Sequence, residues 1–422
     1  MDFSFDARTE SLRAELLSYM DQHVYPVEAQ FAEAATATKY PWKRPEVMEQ
    51  LKAEARRRGL WNLFLPHSPD GAGLSNLQYA PLAEITGRSP LIAPEALNCN
   101  PPDSGNMELL SMFASPRQRT EWLEPLLRGE IRSAYCMTEP AVASSDAGNI
   151  AARITRDGDE YVLDGRKWWI TGALAEECRI LLVLGVTDPD APRKQRHSVL
   201  LVPPDTPGVR MVRPMHIMGY AEGVIGGHAE IEFDNVRVPT ANLLGEVGGG
   251  TAMAQARLGP GRIHHAMRLV GMAERALELL CTRVAGRSAF GKPLADQGVL
   301  QERIAEARVG IEQLRLLVLR TAWLLDTAGV DGARTEVSAV KIAAPRTAEW
   351  VIDAAIQAHG AAGVSQDFPL AVLWAQARGL RIGDGPDEVH RMVLARTELR
   401  RYRTGSRGGD RSAEYAGQPR VE

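Results

Sequence analysis

Asp384 stands between two glycines, in Arg381-Ile382-Gly383-Asp384-Gly385-Pro386-Asp387-Glu388-Val389-His390-Arg391, just ahead of a helical pattern. A carboxylate on such a corner can face a ligand as a base, or it can cap the helix that follows. Asp387 and Glu388 fall in the first turn, where the helix dipole favours acids. Upstream, Tyr135-Cys136-Met137-Thr138-Glu139-Pro140 runs through Ala141, Val142 and Ala143 into Ser144-Ser145-Asp146. Its main-chain donors and hydroxyls suit a ring system bearing carbonyls and ring nitrogens, although capped turns have the same composition. Lys167-Trp168-Trp169-Ile170-Thr171-Gly172 follows. In a strand Trp169 and Thr171 point the same way, which sets an aromatic wall beside a hydroxyl; a Trp packed in a strand core is the plainer reading.

Later come Arg287-Ser288-Ala289-Phe290-Gly291-Lys292 with Gln297, and Gln357-Ala358-His359-Gly360-Ala361-Ala362-Gly363. An Arg fork can grip pyrophosphate, and Gly lets backbone amides approach a dinucleotide. A surface Arg and a helix-ending Gly explain the same residues more simply. Neither segment is a strand-to-helix GxGxxG, so a nicotinamide site of that kind is unsupported. Cys99, Cys136, Cys178 and Cys281 share no CxxC pairing, which points to no metal site, no disulfide scaffold and a reduced compartment.

The elements that must position these groups fall into three zones. Helical spacing of Leu12, Leu16, Leu17 and Tyr19, of Val47, Leu51 and Ala55, and of Leu109, Leu110, Met112 and Phe113 predicts a helical domain over 1–132. Short β-rich runs at 161–163, 180–186, 198–202 and 229–233, separated by Asp-Gly and Pro-Gly turns, predict a compact β barrel or sandwich over 133–245. Long helices are expected at 262–283, 301–328, 335–358 and 386–403, within a last domain over 246–403, followed by a flexible tail over 404–422. Such an α+β chain can hold a flat ligand in the crevice where its three parts meet.

Composition narrows the function. With 422 residues, 45% hydrophobic and 24% charged, the chain is long enough for more than one packed unit. A net charge of -4 without a concentrated basic stripe argues against nucleic acid as a partner. No run of about 18 uncharged apolar residues predicts a membrane span. Residues 1–10 look like neither a signal nor a transit segment, which places the protein in the cytoplasm.

In this order and at these distances, the segments resemble the acyl-CoA dehydrogenase family over essentially the whole chain. The nearest likeness is to the branch found as the dehydrogenase module of larger eukaryotic proteins that also carry a kinase-like module. It rests on Met137 to Pro140, Ser144-Ser145-Asp146, Lys167-Trp168-Trp169, Gly259-Pro260-Gly261-Arg262-Ile263-His264-His265 and the Asp384 to His390 motif. The resemblance implies an N-terminal helical domain, a central β-barrel domain and a C-terminal four-helix bundle, with FAD as cofactor. It implies that Tyr135, Met137, Thr138, Ser144, Trp169 and Thr171 line the flavin, with Pro386 and Glu388 also on the cofactor. Arg287, Phe290, Gln297, Gln357 and Gly360 would reach FAD held by a neighbouring subunit of a homotetramer built as a dimer of dimers.

Ser145, Arg262 and Gly385 would lie on the acyl-CoA, Arg262 at its phosphates, and an electron-transfer flavoprotein or similar acceptor would take the electrons. Asp384 would be the base for α,β-dehydrogenation, in the place where many relatives carry Glu; the family's second base location holds Pro260 and Gly261. In an apolar cleft its pKa should be raised. Three departures stand out: the Glu139 to Asp146 stretch is one residue longer than usual, Gly383 replaces a bulky aromatic, and the base lacks a methylene. The last two should widen the acyl space for a branched, hydroxylated or otherwise bulky group. Two other readings share the fold: a nitroalkane-oxidising flavin oxidase, and a non-catalytic flavoprotein associated with DNA.

Overall fold

A computed structural model describes residues 4–34, 42–66 and 68–403; the expected tail over 404–422 and the first three residues lie outside that range. The N-terminal zone folds into α1 (Ala7–Tyr19), α2 (Glu46–Arg57), α3 (Asn76–Gly87) and α4 (Asp103–Phe113), among shorter helical turns. Asp6 caps α1 by accepting from the Thr9 N–H, and Ser75 with Gln78 forms a reciprocal capping box on α3. Leu16, Tyr19, Leu51, Ala55, Leu109 and Leu110 enter one core. Leu17 and Met112, counted in the same spacing, face outward.

The middle zone is one eight-stranded sheet: β1 (Arg132–Cys136), β2 (Arg153–Asp157), β3 (Glu160–Thr171), β4 (Cys178–Val186), β5 (His197–Val202), β6 (Val209–Met215), β7 (His228–Pro239) and β8 (Leu243–Leu244). The order is β6-β7-β3-β2-β4-β5-β8, and β1 runs parallel to β4 off that path. Alternation sorts the side chains of β4. Ile180, Leu182 and Leu184 join the core shared with the helices, while Leu181 and Val183 join a second core with Leu163, Ile231, Phe233 and Val236. Strands from both halves of the path thus enclose one interior, as a barrel does.

The last zone contains α5 (Gly250–Ala285), α6 (Gly298–Gly332), α7 (Arg334–His359), α8 (Leu370–Gly379) and α9 (Asp387–Arg403). Non-helical torsions at Gly329 break α6 near its end. The three long helices pack on one another, and α8 and α9 lie on α7.

Two contacts fix the N-terminal zone in place. A Cβ on Gly87 would meet the Arg268 carbonyl oxygen at 2.1 Å, and one on Gly271 would meet that of Glu84 at 1.8 Å, so α3 and α5 touch backbone to backbone. Glu95 is buried among Arg44 at 3.0 Å, Lys52 at 2.9 Å and Arg132 at 3.3 Å, and Arg132 also meets Asp103 at 3.0 Å. Burial alone would raise the Glu95 pKa, but these three cations hold it below the ordinary carboxylate range. Among the described residues no helix is long and apolar enough to cross a membrane.

Candidate active site

Asp384 sits in the turn between α8 and α9 with a left-handed backbone, φ 56°. Side chains other than Gly, Asn and Asp rarely adopt it. The turn is tied at its base: the Asp387 N–H donates to the Arg381 carbonyl at 3.1 Å, and the buried Asp387 carboxylate accepts from Arg381 and Arg391. Asp387 therefore does more than complement a helix dipole. The Asp384 carbonyl accepts from Arg262 Nε at 3.0 Å and lies 3.4 Å from His390 Nε2. Its carboxylate lies 3.4 Å from His265 Nε2. Gly385, φ 105°, passes so close to His390 that a Cβ there would lie 2.9 Å from the ring nitrogen.

The carboxylate faces a cavity of about 250 Å³ bounded by Thr171 and His228 from the sheet, Arg257 and His265 from α5, and Gln376 and Gly383 around α8. Thr171 Oγ1 lies 3.0 Å from His228 Nδ1, His228 Nε2 lies 3.0 Å from Glu222, and Gln376 donates to the other Glu222 oxygen at 3.1 Å. Trp169 occupies a bulge between β3 and β7, with φ 55°, which leaves its indole 40% exposed. The bulge interrupts strand alternation, yet Trp169 and Thr171 both reach His228, whose ring lies 5.7 Å from the indole.

Asp384 corrects an expectation. Burial does raise its pKa, but His265, Arg257, Lys341 and Arg262 together outweigh burial and hold it below the ordinary Asp value. The cleft is polar and cationic rather than apolar, and a carboxylate is at home in it. Burial pushes Lys341 down to about 8, and His265 and His390 each down to about 4.

The loop from Met137 to Asp146 is held by a buried pair. Lys167 Nζ meets Glu139 at 2.7 Å and also donates to the Met137 and Leu184 carbonyls. Glu139 in turn accepts from the N–H groups of Ala151 and Ala152, each at 2.9 Å. Ser144 Oγ accepts from the Glu139 N–H at 2.9 Å and so closes the loop, whereas Ser145 is exposed. Tyr135 is buried under the Arg257 guanidinium, 4.4 Å from its ring, and its hydroxyl has no partner among the described residues. Met137 and Thr138 are half-buried beside it, and the Thr138 carbonyl accepts from the Trp168 N–H at 3.0 Å.

Three family models cover nearly the whole chain: the N-terminal domain of acyl-CoA dehydrogenase over 6–130, the middle domain over 134–236 and the C-terminal domain over 248–399. The chain belongs to the acyl-CoA dehydrogenase family. It is 54% identical over 405 residues to the "Probable acyl-CoA dehydrogenase FadE2" of Mycobacterium tuberculosis, covering 96% of this chain and 98% of that one. It is 51% identical to acyl-CoA dehydrogenase family member 11 of Gallus gallus, covering 90% of this chain but only 49% of the longer relative. A solved Mycobacterium abscessus structure assigned to the same family superposes with TM-score 0.91 at 53% identity, over 95% of this chain and all of that one. The family's butyryl-CoA dehydrogenase from Megasphaera elsdenii superposes at 0.79 and 25% identity, over 94% of this chain and all of that one.

Within this acyl-CoA dehydrogenase the expected residues divide into two groups. Asp384 and Thr171 line the cavity, Gly385 follows Asp384, Arg262 bonds the Asp384 carbonyl and Trp169 packs on the lining residue His228, with Met137 and Thr138 on the strand-end loop that contacts Trp168. Pro386 is half-buried behind Gly385, and Glu388 is exposed and paired with Arg391. Arg287, Phe290, Gln297, Gln357 and Gly360 do not line the cavity. Arg283 donates to the His359 carbonyl, which brings the Arg287 hairpin and the Gln357 corner to one end of the bundle, where Phe290 is fully exposed. Arg257, Lys341, His228, Glu222 and Gln376 were not singled out from sequence. His265 alone carried a signal, three residues after Arg262 on one helix face.

Proposed function

We propose that this chain catalyses FAD-dependent α,β-dehydrogenation of an acyl-CoA thioester to the trans-2-enoyl-CoA, with Asp384 removing the α proton. The observation that carries this reading is the Asp384 carboxylate, fixed by a left-handed backbone on the cavity that Thr171 also lines. The Asp384 N–H donates to no group among the described residues and is available to a thioester oxygen, where charge develops as the α proton leaves.

The donor set fits an isoalloxazine ring. Trp169 offers an exposed aromatic face, Thr171 a hydroxyl beside it, Met137 and Thr138 the neighbouring loop, and Tyr135 a buried hydroxyl without a partner among the described residues. When bound, FAD would supply hydride acceptance at N5. The Arg287, Phe290, Gln297, Gln357 and Gly360 end would complete the cofactor site of a neighbouring subunit in a dimer of dimers. Ser145 would lie on the CoA side, and Arg262 would present its remaining guanidinium nitrogens to phosphate while its Nε holds the Asp384 carbonyl. An electron-transfer flavoprotein or similar acceptor would reoxidise the enzyme.

The space beside the base supports a bulky or oxygenated acyl group. A Cβ on Gly383 would meet nothing closer than 3.7 Å, so the missing side chain leaves open room. Asn100 Nδ2, His264 Nε2 and Gln376 Oε1, in residues that line the cavity, have no hydrogen-bond partner among the described residues. Buried polar atoms of this kind favour a ligand that can bond to them.

Anaerobic titration of the yellow protein with straight, branched and hydroxylated acyl-CoAs tests the reading. Reduction of the flavin by a thioester, lost in Asp384→Ala, is expected. A protein that takes up no FAD, or an Asp384→Ala variant reduced as fast as the parent, would sink it, and rapid peroxide formation from small nitroalkanes would favour an oxidase.

A further inference from the structure

One face of α5 grips Asp384 twice. Arg262 holds its carbonyl oxygen, and His265, three residues on, reaches its carboxylate at 3.4 Å, the spacing of an ion pair. The His265 and Asp384 side chains line the same cavity, 20% and 26% exposed, and the His265 ring has no hydrogen-bond partner among the described residues. Charged and titratable groups face the pair: Arg257, Arg262 and Arg268 from α5, Lys341 from α7, and the His390 ring, kept neutral by burial, from α9.

We propose, on the dehydrogenase reading above, that His265 is the second seat of the abstracted proton: Asp384 takes it from the α carbon, and His265 Nε2 then receives it from the Asp384 carboxyl. The bonds balance without a further reactant. The α C–H breaks and leaves its electron pair on the substrate, and an O–H forms at Asp384 Oδ2. That O–H then breaks as an N–H forms at His265 Nε2, leaving carboxylate beside imidazolium in the geometry of the observed contact.

The surroundings explain why the proton moves on. Arg257, Lys341 and Arg262 oppose the burial that raises Asp384, and a charged His265 beside it opposes that burial further, which favours release of the proton toward the ring. Burial keeps His265 neutral at neutral pH, which leaves the ring able to accept. Asp384 supplies the reach to the α carbon, and its own carboxylate, restored as the proton leaves, is what favours the charged ring of His265 against burial and against Arg268, Lys341 and Arg257.

A 3-thiaacyl-CoA loses its α proton but cannot be oxidised, and its anion absorbs at long wavelength beside oxidised flavin. Infrared difference spectra of enzyme carrying ring-13C histidine, taken on adding this probe at neutral pH, should show an isotope-shifted imidazolium and no new carboxylic-acid band. His265→Gln and His265→Asn keep a polar contact but no proton seat. Each should weaken the long-wavelength band roughly tenfold at neutral pH, restore it only at higher pH, and slow flavin reduction similarly with KM little changed.

A carboxylic-acid band without imidazolium would overturn the proposal, as would an unchanged pH profile in the two variants. Because the infrared experiment uses the parent enzyme, it decides even if neither variant folds. A protein that binds FAD but yields no band with any thioester would instead overturn the dehydrogenase reading itself.

Discussion

Glu108 is buried in α4, neither of its carboxylate oxygens has a partner among the described residues, and burial pushes its pKa up from 4.5 to about 8, against the weaker pull of Arg257 and Arg268. The folded state therefore holds this proton through neutral pH, while the unfolded chain releases it near its ordinary value. A raised folded pKa gives stability that is complete below the unfolded pKa and is lost as pH rises through the folded one. A shift of this size is worth about 5 kcal/mol in full, of which about 3.4 kcal/mol is already lost at neutral pH. Glu108→Gln keeps the shape and removes the titration. The variant's stability relative to the parent should rise by about 3.5 kcal/mol between pH 5 and pH 8, because only the parent must leave a charge buried. Denaturant midpoints of both proteins across that range provide the measurement, and titrations common to both cancel in the difference. Parallel curves, with a constant gap from pH 5 to pH 8, would refute the buried neutral acid.

Glu95→Gln strands Arg44, Lys52 and Arg132 without their shared anion, and denaturant unfolding at neutral pH should show a loss of roughly 3–5 kcal/mol. Gly271→Ala drives a methyl into the Glu84 carbonyl across the α3–α5 contact; a thermal melt should show a loss of about 3 kcal/mol or more, and Gly271→Ser should be no milder. Lys341, with a pKa of about 8, loses its charge as pH rises past that value and releases Asp384 toward a stronger base. Stopped-flow flavin reduction should therefore climb between pH 7 and pH 9, and the step should vanish in Lys341→Met.

The fold was legible where periodicity was strong. The long helices and the strands β3, β4, β5 and β7 stood out because their buried residues repeat regularly. Strand β2 did not, since a single buried residue, Ile154, marks it. Strand β1 was obscured by Arg132 and Ser133, polar residues whose burial depends on Asp103 from a distant helix. Helix α8 is short and follows Pro369. In the site, Asp384 and Thr171 were visible from their local motifs, but the charge around them was not. Lys341 looks like any surface Lys in a helix until α8 closes over it, and Glu222 meets His228 and Gln376 only after folding. The expected rise in the Asp384 pKa failed for this reason, since it assumed an apolar cleft and the cations come from α5 and α7.

A depressed pKa looks unsuited to a base that must remove a weakly acidic proton, and the resolution lies in where the charge goes. In the proposed reaction Asp384 gives up a negative charge while the thioester oxygen gains one inside the same cavity. Arg257, Arg262 and Lys341 act on both positions, so the field that weakens the base also strengthens the acid. What governs the barrier is the difference between the two interactions, not the Asp384 value alone. A neutral substitution at Lys341 should consequently alter flavin reduction less than it alters the pKa of Asp384 measured without substrate. Equal changes in the two would mean that the cations act on the carboxylate and not on the developing enolate.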